Sequence, residues 1–326
     1  MTRAAVPSKV GPVYATLIVV AVLWGSATGF LLPRAAYRLS VEPEEPYRDS
    51  CQAGHPITGP AKGWLGRAGC ATCAAAGGAA TPTGNATAGH TDPAATTSTA
   101  TTVSVGRAEA GEAALPRTDE ATTAPDAEAD TPDAPAAPQP VLRGARYTPS
   151  VPVVVITALA CAALAAATGP RPELAVWLLL APFAVLLALI DRNVHRLPDQ
   201  LTLPLALAAA ALLGIAALLP HDGGSWSTAL LGGLVLGACY FVLFLINPNG
   251  MGFGDVKLAL SLGVVLGWYG WLVLFVGAFA GFLLGSLYGL GLMILRRANR
   301  KSAIPFGPFM IAGALLGVLL GALAAA

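Results

Sequence analysis

From residue 151 to residue 326 the chain is almost unbroken apolar sequence, interrupted only where Pro, Gly or charged residues gather. Roughly 20 helical residues cross the hydrocarbon core of a bilayer. A backbone there must satisfy its own hydrogen bonds, which helices do within a single segment. The breaks divide the stretch into spans at 151–168, 173–190, 201–219, 227–246, 257–268, 271–295 and 304–325. A further apolar run at 13–32 reads as a membrane anchor rather than a cleaved signal peptide, because it is long for a signal core and no small-x-small site follows. The expected fold class is therefore all-α: a polytopic membrane helix bundle of about eight transmembrane helices. The span at 257–268 is short, and Gly263 and Gly267 within it predict a tilted or close-packed helix. Charged residues are only 11% of the chain, too few to cover a soluble surface of this size. A net charge of +1 gives no basic field for nucleic acid.

The chain between the first anchor and the bundle is different material. Residues 74 to about 145 are mostly Ala, Thr, Pro, Gly and Asp, with almost no large apolar side chain. Such a stretch buries too little surface to offset its ordering entropy and reads as disordered. The sequon Asn85-Ala86-Thr87 within it is a chance match in Thr-rich sequence. Four regions follow: a tail and anchor at 1–32, a cysteine-bearing segment at 33–75, a low-complexity cytoplasmic insert at 76–147, and a membrane core at 148–326.

Charge orients the bundle. Arg192, Arg196, Lys257, Arg296, Arg297, Arg300 and Lys301 all fall in or beside alternate loops, whereas the opposite loops hold only Arg171. The positive-inside rule places the basic set in the cytoplasm, with residues 33–150 on that side and the N-terminus outside.

Two acids in the core sit at span ends on that basic side, Asp191 and Asp255. Asp199 lies in the loop between spans, and Asp222 is on the opposite face. An acid at membrane depth is costly and points to function, although a lone interfacial Asp can simply cap a helix. The setting of each acid argues for function. Asp191 is followed by Leu197-Pro198-Asp199, where Pro198 and Pro204 interrupt helix continuity. Asp255 is preceded by Gly250, Gly252 and Gly254, which would let a substrate strand approach the acid closely.

These residues resemble the type IV prepilin leader peptidases. Gly252-Phe253-Gly254-Asp255-Val256-Lys257 matches their GxGD motif. Asp191 with Pro198-Asp199 matches their other aspartate motif, and Ile304-Pro305-Phe306-Gly307-Pro308-Phe309 matches the opening of their last span. The resemblance implies Asp191 and Asp255 as catalytic, supported by Gly252, Gly254, Lys257, Pro198 and Asp199. Lys257 itself reads as a headgroup anchor, and His195 as a solvated loop residue. The implied reaction is cleavage of prepilin or pseudopilin precursors at the cytoplasmic face of a bacterial membrane. Water would be activated by two carboxylates sharing a proton, with no cofactor.

Fainter likeness reaches the N-terminus. Cys51 and the Cys70-x-x-Cys73 pair resemble the family's zinc-binding cysteines, but Gly54 stands where a fourth cysteine is expected. Cys51, His55, Cys70 and Cys73 offer a Cys3His zinc set; the alternative is a decayed site. Many members also methylate the new N-terminus with S-adenosylmethionine; with the cysteine segment altered, methylation is not expected. Two other readings stand beside this one: a non-enzymatic transporter or scaffold, and a GxGD protease with other substrates. Acids on one face only argue against an ion path across the bilayer.

Overall fold

The computed structural model describes residues 11–41, 45–66, 69–78, 150–248, 251–295 and 305–325. Almost all of the 76–147 insert lies outside these residues, as do Asn85, Gly250, Ile304 and the basic run Arg296–Lys301. Among the described residues the structure is helical, with one isolated bridge between Ser50 and Pro56.

The membrane core opens with α1 (Pro12–Leu39). Two short elements follow, α2 (Pro60–Gly63) and α3 (Ala71–Gly78), and then α4 (Ser150–Thr168), α5 (Glu173–Val194), α6 (Asp199–Ala216) and α7 (Trp226–Ile246). The last three are α8 (Phe253–Gly267), α9 (Trp271–Ile294) and α10 (Gly307–Ala324). Seven of these helices are long and apolar enough to cross a membrane: α1, α4 to α7, α9 and α10. The chain is a multi-pass membrane protein.

The expected eighth span, α8, is the exception. Its 15 residues give about 22 Å of helix, short of a hydrocarbon core of about 30 Å. It nonetheless runs antiparallel to α7 between the same two ends. Phe253 at its start stacks near Phe244 of α7, and the carbonyl of Trp268 at its close accepts the N–H of Ser225 just before α7. Neighbours cover most of its surface, so lipid does not set its length. Small residues let α7 and α8 meet backbone to backbone: a Cβ on Gly263 would lie 2.5 Å from the carbonyl oxygen of Gly232. Gly313 of α10 is wedged against Gly277 and Gly281 of α9 in the same way.

The two ends of the bundle carry different chemistry. At one end Arg171 reaches the last turns of two helices, donating from Nε to the Thr168 carbonyl (2.7 Å) and from Nη2 to the Ala322 carbonyl (2.6 Å). Beside it the fully buried Glu173 pairs with Arg171 Nε at 3.5 Å. At the other end α5 finishes while α8 and α10 begin, and there the two acids lie.

Candidate active site

Asp191 sits in the last turn of α5, which stops four residues on because His195 takes a left-handed conformation (φ 52°) and returns its N–H to the Asp191 carbonyl at 2.7 Å. Leu197-Pro198 then carries the chain, extended, into α6. Asp255 sits in the first turn of α8, with Gly252 as the residue that opens the helix. Both acids are buried, Asp191 at 3% exposure and Asp255 at 7%, and they lie close enough for their charges to act on one another.

A third element completes the arrangement. The N–H of Gly307, first residue of α10, donates to Asp191 Oδ2 at 2.9 Å. A helix start presents unpaired N–H groups and partial positive charge, so α10 fixes this carboxylate in place. A side chain at 307 would have to displace that carboxylate: a Cβ would stand 2.7 Å from Asp191 Oδ2. The three separated segments singled out in the sequence, around Asp191, Asp255 and Gly307, thus converge on one spot.

The supporting residues occupy definite places. Gly254 lies against Leu197, where an added Cβ would sit 3.0 Å from the leucine Cβ. Lys257, read from its sequence position as a headgroup anchor, has a protein partner in the structure. Its Nζ pairs with Asp199 Oδ1 at 2.5 Å and lies 4.7 Å from the Phe253 ring centroid. The motif's own acid captures the ammonium because both residues project from the facing starts of α6 and α8. His195 is exposed, as a loop histidine should be.

Sequence reasoning missed the aromatic wall of the site. Tyr240 of α7, 2% exposed, lies within the field of Asp255. Its ring packs on Phe282 of α9 (centroids 5.3 Å), which packs in turn on Phe306 (5.1 Å), the neighbour of Gly307. These rings run from Tyr240 to the residue before Gly307. A lone Tyr in an apolar span carries no local signal of this.

On the N-terminal segment Cys51, His55, Cys70 and Cys73 present their ligand atoms within 4.8 Å of one another. Cys51 Sγ lies 3.8 Å from Cys73 Sγ and 3.7 Å from His55 Nδ1, and His55 Nδ1 lies 3.2 Å from Cys73 Sγ. Tetrahedral zinc with Zn–S bonds of about 2.3 Å separates its sulfurs by about 3.8 Å, so the donor set fits. Gly54 has φ 79° in the tight turn that joins Cys51 to His55. That turn lets His55, one residue later, stand where a second cysteine was expected. The Cys73 N–H points at Cys70 Sγ and brings its pKa down to about 6, while burial and then the neighbouring thiols push Cys73 up to about 11. The segment is fastened to α1 by two buried arginines. Arg34 donates to the carbonyls of Thr58 and Leu65, and Arg38 to the Lys62 carbonyl and to Asp49.

Comparison with known proteins covers the two segments that carry Asp191 and Asp255. Residues 178–290 match the type IV leader peptidase family. The chain is 35% identical over 170 residues to a prepilin leader peptidase/N-methyltransferase of Aeromonas hydrophila, covering 52% of this chain and 57% of that protein. It is 33% identical over 155 residues to the protein so named in Pseudomonas aeruginosa, covering 45% and 48%, and 31% identical over 170 residues to that of Bacillus subtilis, covering 51% and 64%. The chain thus spans about half the length of the curated relatives it matches. No solved structure matches it.

Proposed function

We propose, from the match of residues 178–290 to the type IV leader peptidase family, that the protein is a membrane aspartyl endopeptidase that removes the leader from prepilin-like precursors. One observation carries the mechanism: two buried carboxylates, on α5 and α8, share one end of the bundle with the N-terminus of α10. Two close carboxylates do not both ionise readily, so one keeps a proton. The ionised member takes a proton from water, and that water attacks the scissile carbonyl. The protonated member hydrogen-bonds to the carbonyl oxygen as charge develops on it. The proton taken from water then passes to the leaving amine. The pair titrates as a unit.

The basic loops put this end at the cytoplasmic face, where a precursor's short leader would meet its hydrophobic stem. Cys51, His55, Cys70 and Cys73 would hold zinc as a structural ion that ties the N-terminal segment together. Methyl transfer is not part of the proposed activity, since Gly54 and His55 alter the cysteine pattern associated with it.

Co-expression with candidate prepilins from the same genome tests the proposal. Leader removal is read as a gel shift for wild type, Asp191→Ala and Asp255→Ala. The expected result is processing by wild type alone; full processing by either variant would sink the assignment of the pair.

A further inference from the structure

We infer that Asp199 and Lys257 are positioning residues: their ion pair is the middle tooth of a three-tooth register that sets Asp255 against Asp191. The inference rests on the reaction proposed above and names what aligns its two acids.

The teeth follow one another along the facing segments. Outermost, Gly254 rests on Leu197 with no room for a side chain. Next, Lys257 Nζ meets Asp199 Oδ1 at 2.5 Å. Deepest, Ser261 Oγ donates to the Thr202 carbonyl at 3.2 Å, and both of these residues are buried. Going inward, the α6 segment advances from 197 to 199 to 202, and α8 from 254 to 257 to 261. Asp255 lies between the first and second teeth. The residue before it touches Leu197, in the connection that leaves α5 through His195, and the residue two after it pairs with Asp199, where that connection enters α6. Asp191 is at the other end of that connection. A slip of α8 along α6 would therefore carry one acid away from the other.

Register, rather than stability, is what the pair supplies. The Asp199 side chain is 63% exposed and that of Lys257 16%, and an ion pair so open to water holds little of the fold together. Buried apolar side chains of both helices do that: Ala209 and Leu213 of α6 and Leu258 and Leu262 of α8 belong to the same hydrophobic core.

Two other roles for Lys257 make different predictions. If its charge acted directly on Asp255, or anchored the helix at headgroups, an acid at 257 would be harmful whatever stood at 199. In the register, the pair works in either polarity. The test compares Asp199→Lys, Lys257→Asp and the double swap, each quantified in the membrane, for prepilin cleavage. Each single variant is expected to cleave about 10- to 100-fold more slowly, the loss that a misplacement of about 1 Å brings, and the swap to recover at least tenfold over the slower single. Singles that match wild type, or a swap no faster than the slower single, overturn the inference.

A second readout needs no activity. In an Asp191→Cys/Asp255→Cys protein, the rate at which a short bifunctional thiol reagent joins the two positions reports their alignment, with the linked peptides identified by mass spectrometry. Lys257→Asp should slow that linkage severalfold and adding Asp199→Lys should restore it; equal rates in all three backgrounds overturn the register. Should wild type cleave no precursor, the proposed reaction falls, and the linkage rates still decide the register.

Discussion

Replacing Gly307 with alanine should disable the acid pair without weakening the fold. The added methyl would lie 2.7 Å from Asp191 Oδ2, 3.1 Å from Cγ and 3.3 Å from Cβ. Carbon and oxygen settle no closer than about 3.4 Å, so the carboxylate or the start of α10 has to retreat by about 0.7 Å. The same retreat lengthens the 2.9 Å bond from the Gly307 N–H. Misplacement on the order of 1 Å in a catalytic group loses about 100-fold, so a loss of about 10- to 100-fold in the cleavage rate is expected. Stability should not fall, because alanine is the better helix former by about 1 kcal/mol and the displaced group is a single side chain. The assay is the time course of leader removal in isolated membranes, beside the thermal midpoint of the purified protein. Gly291→Ala is the control, since no atom lies within 4 Å of its added methyl. A Gly307→Ala protein that cleaves within twofold of wild type would refute the placement of α10 against Asp191. A protein that loses activity and thermal stability together would show that the glycine serves packing instead.

Three further outcomes follow from other parts of the molecule. The purified protein should bind one zinc per chain, Cys73→Ser should lose it, and mass spectrometry of the native protein checks both. Because a bound thiol must be a thiolate and Cys73 is held up at about 11, zinc binding at pH 7 should release protons and weaken as the pH falls. Titration calorimetry in buffers of different ionisation enthalpy reads that release. At the opposite end, Arg171→Leu strips two helix C-termini of their donor and leaves the buried Glu173 charge alone; a loss of about 3–5 kcal/mol is expected for breaking one side of a buried pair. The Arg171→Leu/Glu173→Leu double variant should recover part of it, and thermal unfolding in detergent compares the two. Finally, Gly263→Leu should separate α7 from α8 and abolish both folding yield and cleavage, since its Cβ alone would meet the Gly232 carbonyl at 2.5 Å. A well-folded, active Gly263→Leu protein would contradict the close crossing.

What the sequence made legible was whatever one segment can express alone. Apolar length located the seven long spans, and glycine spacing announced the close packing of α8. That Asp191 and Asp255 share one end was legible too, because basic loops mark a face and both acids fall beside it; that both are buried there was not. Relations between segments were not. Lys257 looked like an interfacial anchor, for a lysine at a helix start is common there; only the facing start of α6 makes it the partner of Asp199. Glu173 at 0% exposure escaped notice because a glutamate after a Pro-rich turn reads as a solvated first-turn acid, whereas in the fold it lies beside Arg171, whose guanidinium ties the ends of α4 and α10.

Gly54 shows the limit most clearly. Read by spacing, it was the missing ligand of a damaged site. In the fold it takes φ 79°, a conformation that a cysteine would adopt only with strain. The turn it makes brings His55 Nδ1 to 3.2 Å from Cys73 Sγ. The residue that breaks the cysteine count thus also makes the turn that brings His55 to Cys73. A motif counted by residue type records the first of these facts; the second depends on which way the backbone turns.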